Sequence, residues 1–249
     1  MKITAGGVVA AEWTKFSSLR STWVTTGVSV FLLIAFGMIA SASVSGDNLS
    51  AVDLALSGST LAGLSVGVLG ALLGASEYTT GMIRATLAAV PRRLPVLWSK
   101  SLVAGFAALI VMTAGSFAAF ALGSAVLNDD VGSVSLGDDG VVRAIVGAGI
   151  YLGLVAVLGV ALGMLVRSSA GAIAILAGLL LIVPGLAALL PDSIGDAVTP
   201  YLPSNAGSAV MALTPTEGTL GPWTGLAVFA GYVVVVLAAT AYRLKMTDA

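Results

Sequence analysis

The chain has 249 residues, of which 58% are hydrophobic and only 9% charged, with a net charge of −1. A water-soluble domain carries roughly a quarter of its residues as charge, so this surface cannot hold the chain in water and an integral membrane protein is expected. Cysteine and histidine are both absent, which excludes disulfides, thiolate metal sites and the commonest general base.

Residues 1–20 carry Lys2, Glu12, Lys15 and Arg20 around an apolar face of Val9, Trp13 and Phe16. This pattern predicts an amphipathic helix in the membrane interface, with Trp13 at headgroup level and Glu12 and Lys15 turned away from the apolar face. Six stretches then hold no Asp, Glu, Lys or Arg: 21–46, 54–76, 101–128, 144–166, 168–191 and 218–242. Each is long enough for the roughly 20 residues that cross a ~30 Å hydrocarbon core. Continuous apolar runs do not suit the alternating strands of a β-barrel. The expected fold is an all-α polytopic membrane protein, a single domain over 1–249. Its spans are expected at about 22–44, 55–75, 102–127, 144–166, 169–190 and 222–242. Ala40-Ser41-Ala42 imitates a signal cleavage site, but the apolar run before it is longer than a signal core, so a retained anchor is expected.

Gly63, Gly67, Gly70 and Gly74 form one stripe along the second run, and the fourth run holds Gly149/Gly153 and Gly159/Gly163. Small residues at this spacing let helix backbones approach closely in lipid. A packing seam is expected, within the subunit or between subunits.

Between the second and third runs lies EYTTGMIRATLAAVPRRLPVLWSK, Glu77 to Lys100. Met82, Ile83, Thr86, Leu87 and Val90 recur at helical spacing, and Pro91 ends that helix because it lacks an N–H and crowds the preceding turn. Arg92 and Arg93 follow where the helix dipole favours cations. A short surface helix here can pass a partner's push to both neighbouring spans. The other reading is a basic loop that sets orientation. In the fifth run Pro184 predicts a kink, and the apolar stretch 201–213 predicts a short helix dipping into the outer interface.

Placing the N-terminus inside puts ten of the eleven Lys and Arg on the cytoplasmic side and only Arg143 outside, as the positive-inside rule requires. Both termini are then cytoplasmic. On this division no ionisable residue falls within a span, where a proton-coupled carrier usually places one, apart from Arg143 near an outer helix end. Asp129/Asp130 and Asp138/Asp139 offer oxygen ligands for a divalent cation, but they are expected to be solvated loop acids that help fix topology. No G-x-x-x-x-G-K-[ST] phosphate loop occurs, so nucleotide is not bound by that route. The chain therefore has the walls of a transport path without an energy source.

Glu77-x3-Gly81, Leu87-x2-Val90-Pro91-Arg92-Arg93 and Lys100 together resemble the first cytoplasmic loop of ABC type-2 permeases. These are the membrane subunits of export-type ATP-binding-cassette transporters, and the resemblance is greatest to actinobacterial members. AEWTKFSSLRSTW near the N-terminus and YLPSNAG at 201–207 resemble the same group. The resemblance implies a permease subunit in a bacterial plasma membrane, paired with a second permease subunit, identical or related. It would dock on a separate nucleotide-binding subunit that holds ATP and Mg, and this chain would hold no cofactor and perform no catalysis. The loop would be the coupling helix. Glu77 would cap or ion-pair at its start, Gly81 would allow close approach, and Leu87 and Pro91 would shape it. Arg84, Arg92 and Arg93 would pair with ATPase acids or anionic headgroups. The helix bearing Glu12, Trp13 and Phe16 would be a second contact. The implied cargo is a hydrophobic or amphipathic compound: a drug, a peptide or a lipid-like molecule. A non-transporting scaffold or sensor subunit is the alternative.

Overall fold

A computed structural model describes residues 5–44, 50–79, 81–82, 94–127, 134–214 and 218–246. Among these the structure is helical without strands. Helix α1 (Ala5–Ser18) ends at Leu19, whose extended backbone turns the chain into α2 (Arg20–Ser43). The Trp23 indole N–H donates to the Ser17 carbonyl at 2.9 Å and braces this elbow. A short α3 (Ala51–Ala55), capped by the Ser50 hydroxyl, leads into α4 (Ser59–Thr79). Then follow α5 (Leu94–Ala125), α6 (Val141–Val166) and α7 (Ser169–Ala187). Two short helices, α8 (Asp192–Val198) and α9 (Pro203–Ser208), precede the last long helix, α10 (Pro222–Met246).

Six helices among the described residues are long and apolar enough to cross a membrane, so the chain is a multi-pass membrane protein. They coincide with the six uncharged runs. The boundaries differ at one end of the bundle, where α4 continues to Thr79 and α5 already begins at Leu94. Pro95 permits that early start because the first turn of a helix has no use for its missing N–H.

Helix α6 is the axis of the bundle: 78% of its apolar window is buried, against 22% in α2, α7 and α10. The expected glycine seam lies within the subunit. A Cβ on Gly70 or Gly74 would overlap the carbonyl of Ala156 or Val160 on α6. One on Gly159 or Gly163 would overlap the carbonyl of Gly67 or Ala71 on α4. Gly67 itself faces Leu176 of α7 and Val155, while Gly63 is only in ordinary contact with Leu152. The second α6 pair, Gly149 and Gly153, meets Thr113, Leu109 and Gly105 of α5. One helix thus presents glycine to two neighbours, which is why it can sit between them.

Pro184 acts through hydrogen bonding. Without an N–H it cannot satisfy the carbonyl one turn back, and α7 widens to a π turn over Gly178–Ile182, with the Val183 N–H reaching the Gly178 carbonyl. The 201–213 stretch contains the expected short helix, α9, packed into the bundle. Pro203, Ala206, Gly207, Val210 and Met211 are buried against α6 and α10. Gly207 lies on the Tyr151 ring, and Gly225 of α10 lies on the Ala206 carbonyl. Its backbone carbonyls explain the exceptional Arg143. That guanidinium donates to Val210 at 3.1 Å, Ala212 at 2.9 Å and Leu213 at 3.4 Å. Arg143→Met leaves these acceptors without their donor. Faster amide hydrogen exchange across 203–213 is the expected result, with exchange in α4 unchanged.

Outward-facing Val24, Phe31, Phe106, Ile110, Leu186 and Val235 are exposed. Such a surface suits an apolar solvent.

Candidate functional site

At the end of the bundle where α4 stops and α5 starts, four charged side chains close into a ring. Glu77 lies in the last turn of α4 and Lys100 within the first two turns of α5. Each stands at the unfavourable pole of its own helix dipole, a carboxylate at the negative end and an ammonium at the positive end. Their mutual bond, Lys100 Nζ to Glu77 Oε1 at 2.8 Å, offsets both costs. Helix α1 supplies the other two members. Lys100 Nζ also reaches Glu12 Oε2 at 2.9 Å, while Lys15 Nζ bonds Glu12 Oε1 at 3.0 Å and Glu77 Oε1 at 2.8 Å.

The ring is neutral in sum and largely dry. Glu12, Glu77 and Lys100 side chains are 6–7% exposed, and only Lys15, at 39%, reaches solvent. Burial pulls the Lys15 pKa down, but its hydrogen bonds to Glu77 and Glu12 and their negative charges outweigh that, and the value is raised. Phe16 reinforces the attachment of α1 by packing on Leu69, Val103 and Ala107. A cavity of about 250 Å³ remains beside the ring, walled by the four charged residues together with Phe16, Leu73 and Met82.

Two expectations change here. The buried face of α1 is Val8, Glu12 and Phe16, while Trp13 is 49% exposed and stacks on Phe16. Glu12 therefore turns inward, because two lysines await it. Glu77 does not start a coupling helix; it closes α4. Glu77 and Lys100 are both buried, near the ends of α4 and α5. Gly81 adopts φ +72°, a left-handed turn that favours glycine, with nothing within 4 Å of where a Cβ would stand. Arg84, Leu87, Pro91, Arg92 and Arg93 lie outside the described residues.

Lys15 and Lys100 were not singled out as site residues by their sequence context. The available signal was position: Glu77 directly follows one uncharged run and Lys100 directly precedes the next. Antiparallel neighbours bring two such flanks together. Other cations at this end serve the α6 terminus. Arg243 donates to the Leu165 carbonyl, and Arg167, in the left-handed region, lies 5.2 Å from the centre of the Tyr78 ring.

Four mutually neutralised charges are poor acid–base catalysts. They are suited to fixing one element on two others. No protein-family model and no curated protein matches this chain.

Proposed function

We propose that this chain is the membrane-spanning permease subunit of an ATP-binding-cassette exporter, driven by a separate nucleotide-binding subunit and moving a hydrophobic or amphipathic compound. The observation that supports this reading best is the ionic ring. It ties α1 to the ends of α4 and α5, the two helices between which the basic segment 80–93 runs. Through the ring, a force applied to that segment reaches α4, α5, α1 and, across the Leu19 elbow, α2. The concentration of Lys and Arg at this end supports a cytoplasmic location for it and for both termini. The resemblance of the loop to type-2 permeases supplies the partner class, and the lack of a phosphate loop in the chain accounts for the need of one.

Purification of the detergent-solubilised wild type is expected to retain a polypeptide that hydrolyses ATP with Mg. A variant with Arg84→Glu, Arg92→Glu and Arg93→Glu is expected to lose it while keeping its own fold, since these positions lie outside the ring. Recovery of the wild type with partners that bind no nucleotide would defeat the exporter reading and leave the scaffold.

A further inference from the structure

The opposite end of the bundle holds a cavity of about 230 Å³ between the first turn of α4, the π turn of α7, helix α9 and Tyr151 of α6. Its apolar wall comes from the π turn and Pro184. Its polar groups are Ser59, Thr60, Tyr151, Ser204, Asn205 and Ser208, and none of the described residues lining it is charged. Exposed Thr60 and Leu181 mark its mouth on the outer surface of the bundle.

Tyr151 is the unusual member. It is 3% exposed, and its ring is held from several sides. A Cβ on Gly207 would overlap it, the Phe229 ring centre lies 5.1 Å away, and Gly63 borders its hydroxyl edge. Packing alone therefore fixes the direction of the hydroxyl. Among the described residues that hydroxyl makes no protein hydrogen bond, and neither do the hydroxyls of Ser59 and Thr60. These hydroxyls face the open space of the cavity, where they are free to hydrogen-bond whatever enters it. Asn205 is already committed, its amide donating to the Thr199 carbonyl at 2.9 Å, and the Ser208 hydroxyl donates to the Asn205 carbonyl at 3.1 Å. The three unpartnered hydroxyls can each donate and accept. A charged group entering here would be desolvated with no counter-charge, which is strongly unfavourable. A purely apolar group would leave the hydroxyls unmatched. A π turn beside such a cavity is also a common companion of functional sites.

We propose that this cavity binds the uncharged, hydrogen-bonding head of an amphiphile whose apolar tail remains in the membrane. Its use as the recognition point for cargo rests on the transport function proposed above; binding itself does not.

The test uses the full chain in phosphatidylcholine nanodiscs with radiolabelled monooleoylglycerol as the probe, and oleate and oleylamine as charged competitors. Saturable binding is expected, with both competitors at least roughly tenfold weaker than unlabelled monooleoylglycerol. Tyr151→Phe keeps the packed ring and removes one hydroxyl, and should weaken binding about five- to tenfold, the usual worth of one hydrogen bond. Ser59→Ala should act in the same direction, and Thr26→Val, on α2, which does not line this cavity, should change nothing. The proposal is overturned by an absence of saturable binding, by equal affinity for a charged competitor, or by a Tyr151→Phe protein that melts and binds like wild type. No ATPase is needed for the measurement, so such a failure leaves the exporter reading to the pull-down.

Discussion

Lys100→Met is expected to lower the stability of the detergent-solubilised protein by about 3–5 kcal/mol, the usual cost of removing one partner from a buried ion pair. Lys100 is the only ring member that joins Glu12 and Glu77 from a fully buried position on α5. Without it two buried carboxylates must share Lys15, and Glu77 Oε2, already without a hydrogen-bond partner, is joined by a second orphaned oxygen on Glu12. A thermal scan followed by tryptophan fluorescence should show the midpoint falling by roughly 10 °C. The Lys15→Met change should cost less, because Lys15 is partly solvated and surface pairs contribute little. The double variant Lys100→Met with Glu77→Gln should be less damaged than the sum of its two single changes, since each removes the other's unpaired charge. Additive losses would show that the four residues do not act as a ring. An unchanged midpoint in Lys100→Met would show that the charges are hydrated rather than buried.

Gly159→Leu is expected to be the most damaging single change in the membrane core. Its side chain would start inside the Gly67 carbonyl of α4, and a backbone atom cannot rotate away as a side chain can. Overpacking in a core ordinarily costs about 1–3 kcal/mol, and a backbone collision along a seam used by Gly70, Gly74 and Gly163 as well should exceed that range. Most of the Gly159→Leu protein should be lost from the monodisperse peak of a size-exclusion column after mild heating. Gly231→Leu in α10 and Gly27→Leu in α2 provide the comparison, for a Cβ at either position meets nothing within 4 Å. Equal losses in all three variants would mean that leucine harms these helices through propensity or insertion, and the seam argument would fail.

These two sites differ in how far they could be read from the amino acids. The glycine stripe was visible as a period, because helical spacing alone puts Gly63, Gly67, Gly70 and Gly74 on one side of one helix. What the stripe faces was not visible. Gly70 and Gly74 meet α6, Gly67 meets α7 as well, and Gly63 has no tight contact. The ring was scarcely visible at all. A single-helix pattern assigns Glu12 to the polar side of α1, since the cost of burying a carboxylate depends on partners that the helix does not contain. One of those partners, Lys100, lies 88 positions away. Arg143 is similar: counted alone it is a misplaced positive charge, and only the fold of 203–213 shows the carbonyls it satisfies.

The number and placement of the membrane-crossing helices were determined by the sequence alone. A hydrocarbon solvent makes a local demand: every residue of a continuous run must be apolar enough to remain there. Such a demand can be read one segment at a time. The tertiary structure decided which faces meet, that α6 stands at the centre, that Glu12 turns inward to the lysines, and that three hydroxyls converge on one cavity. Those outcomes depend on energies shared between helices distant in the chain, and no single segment contains both halves of any of them.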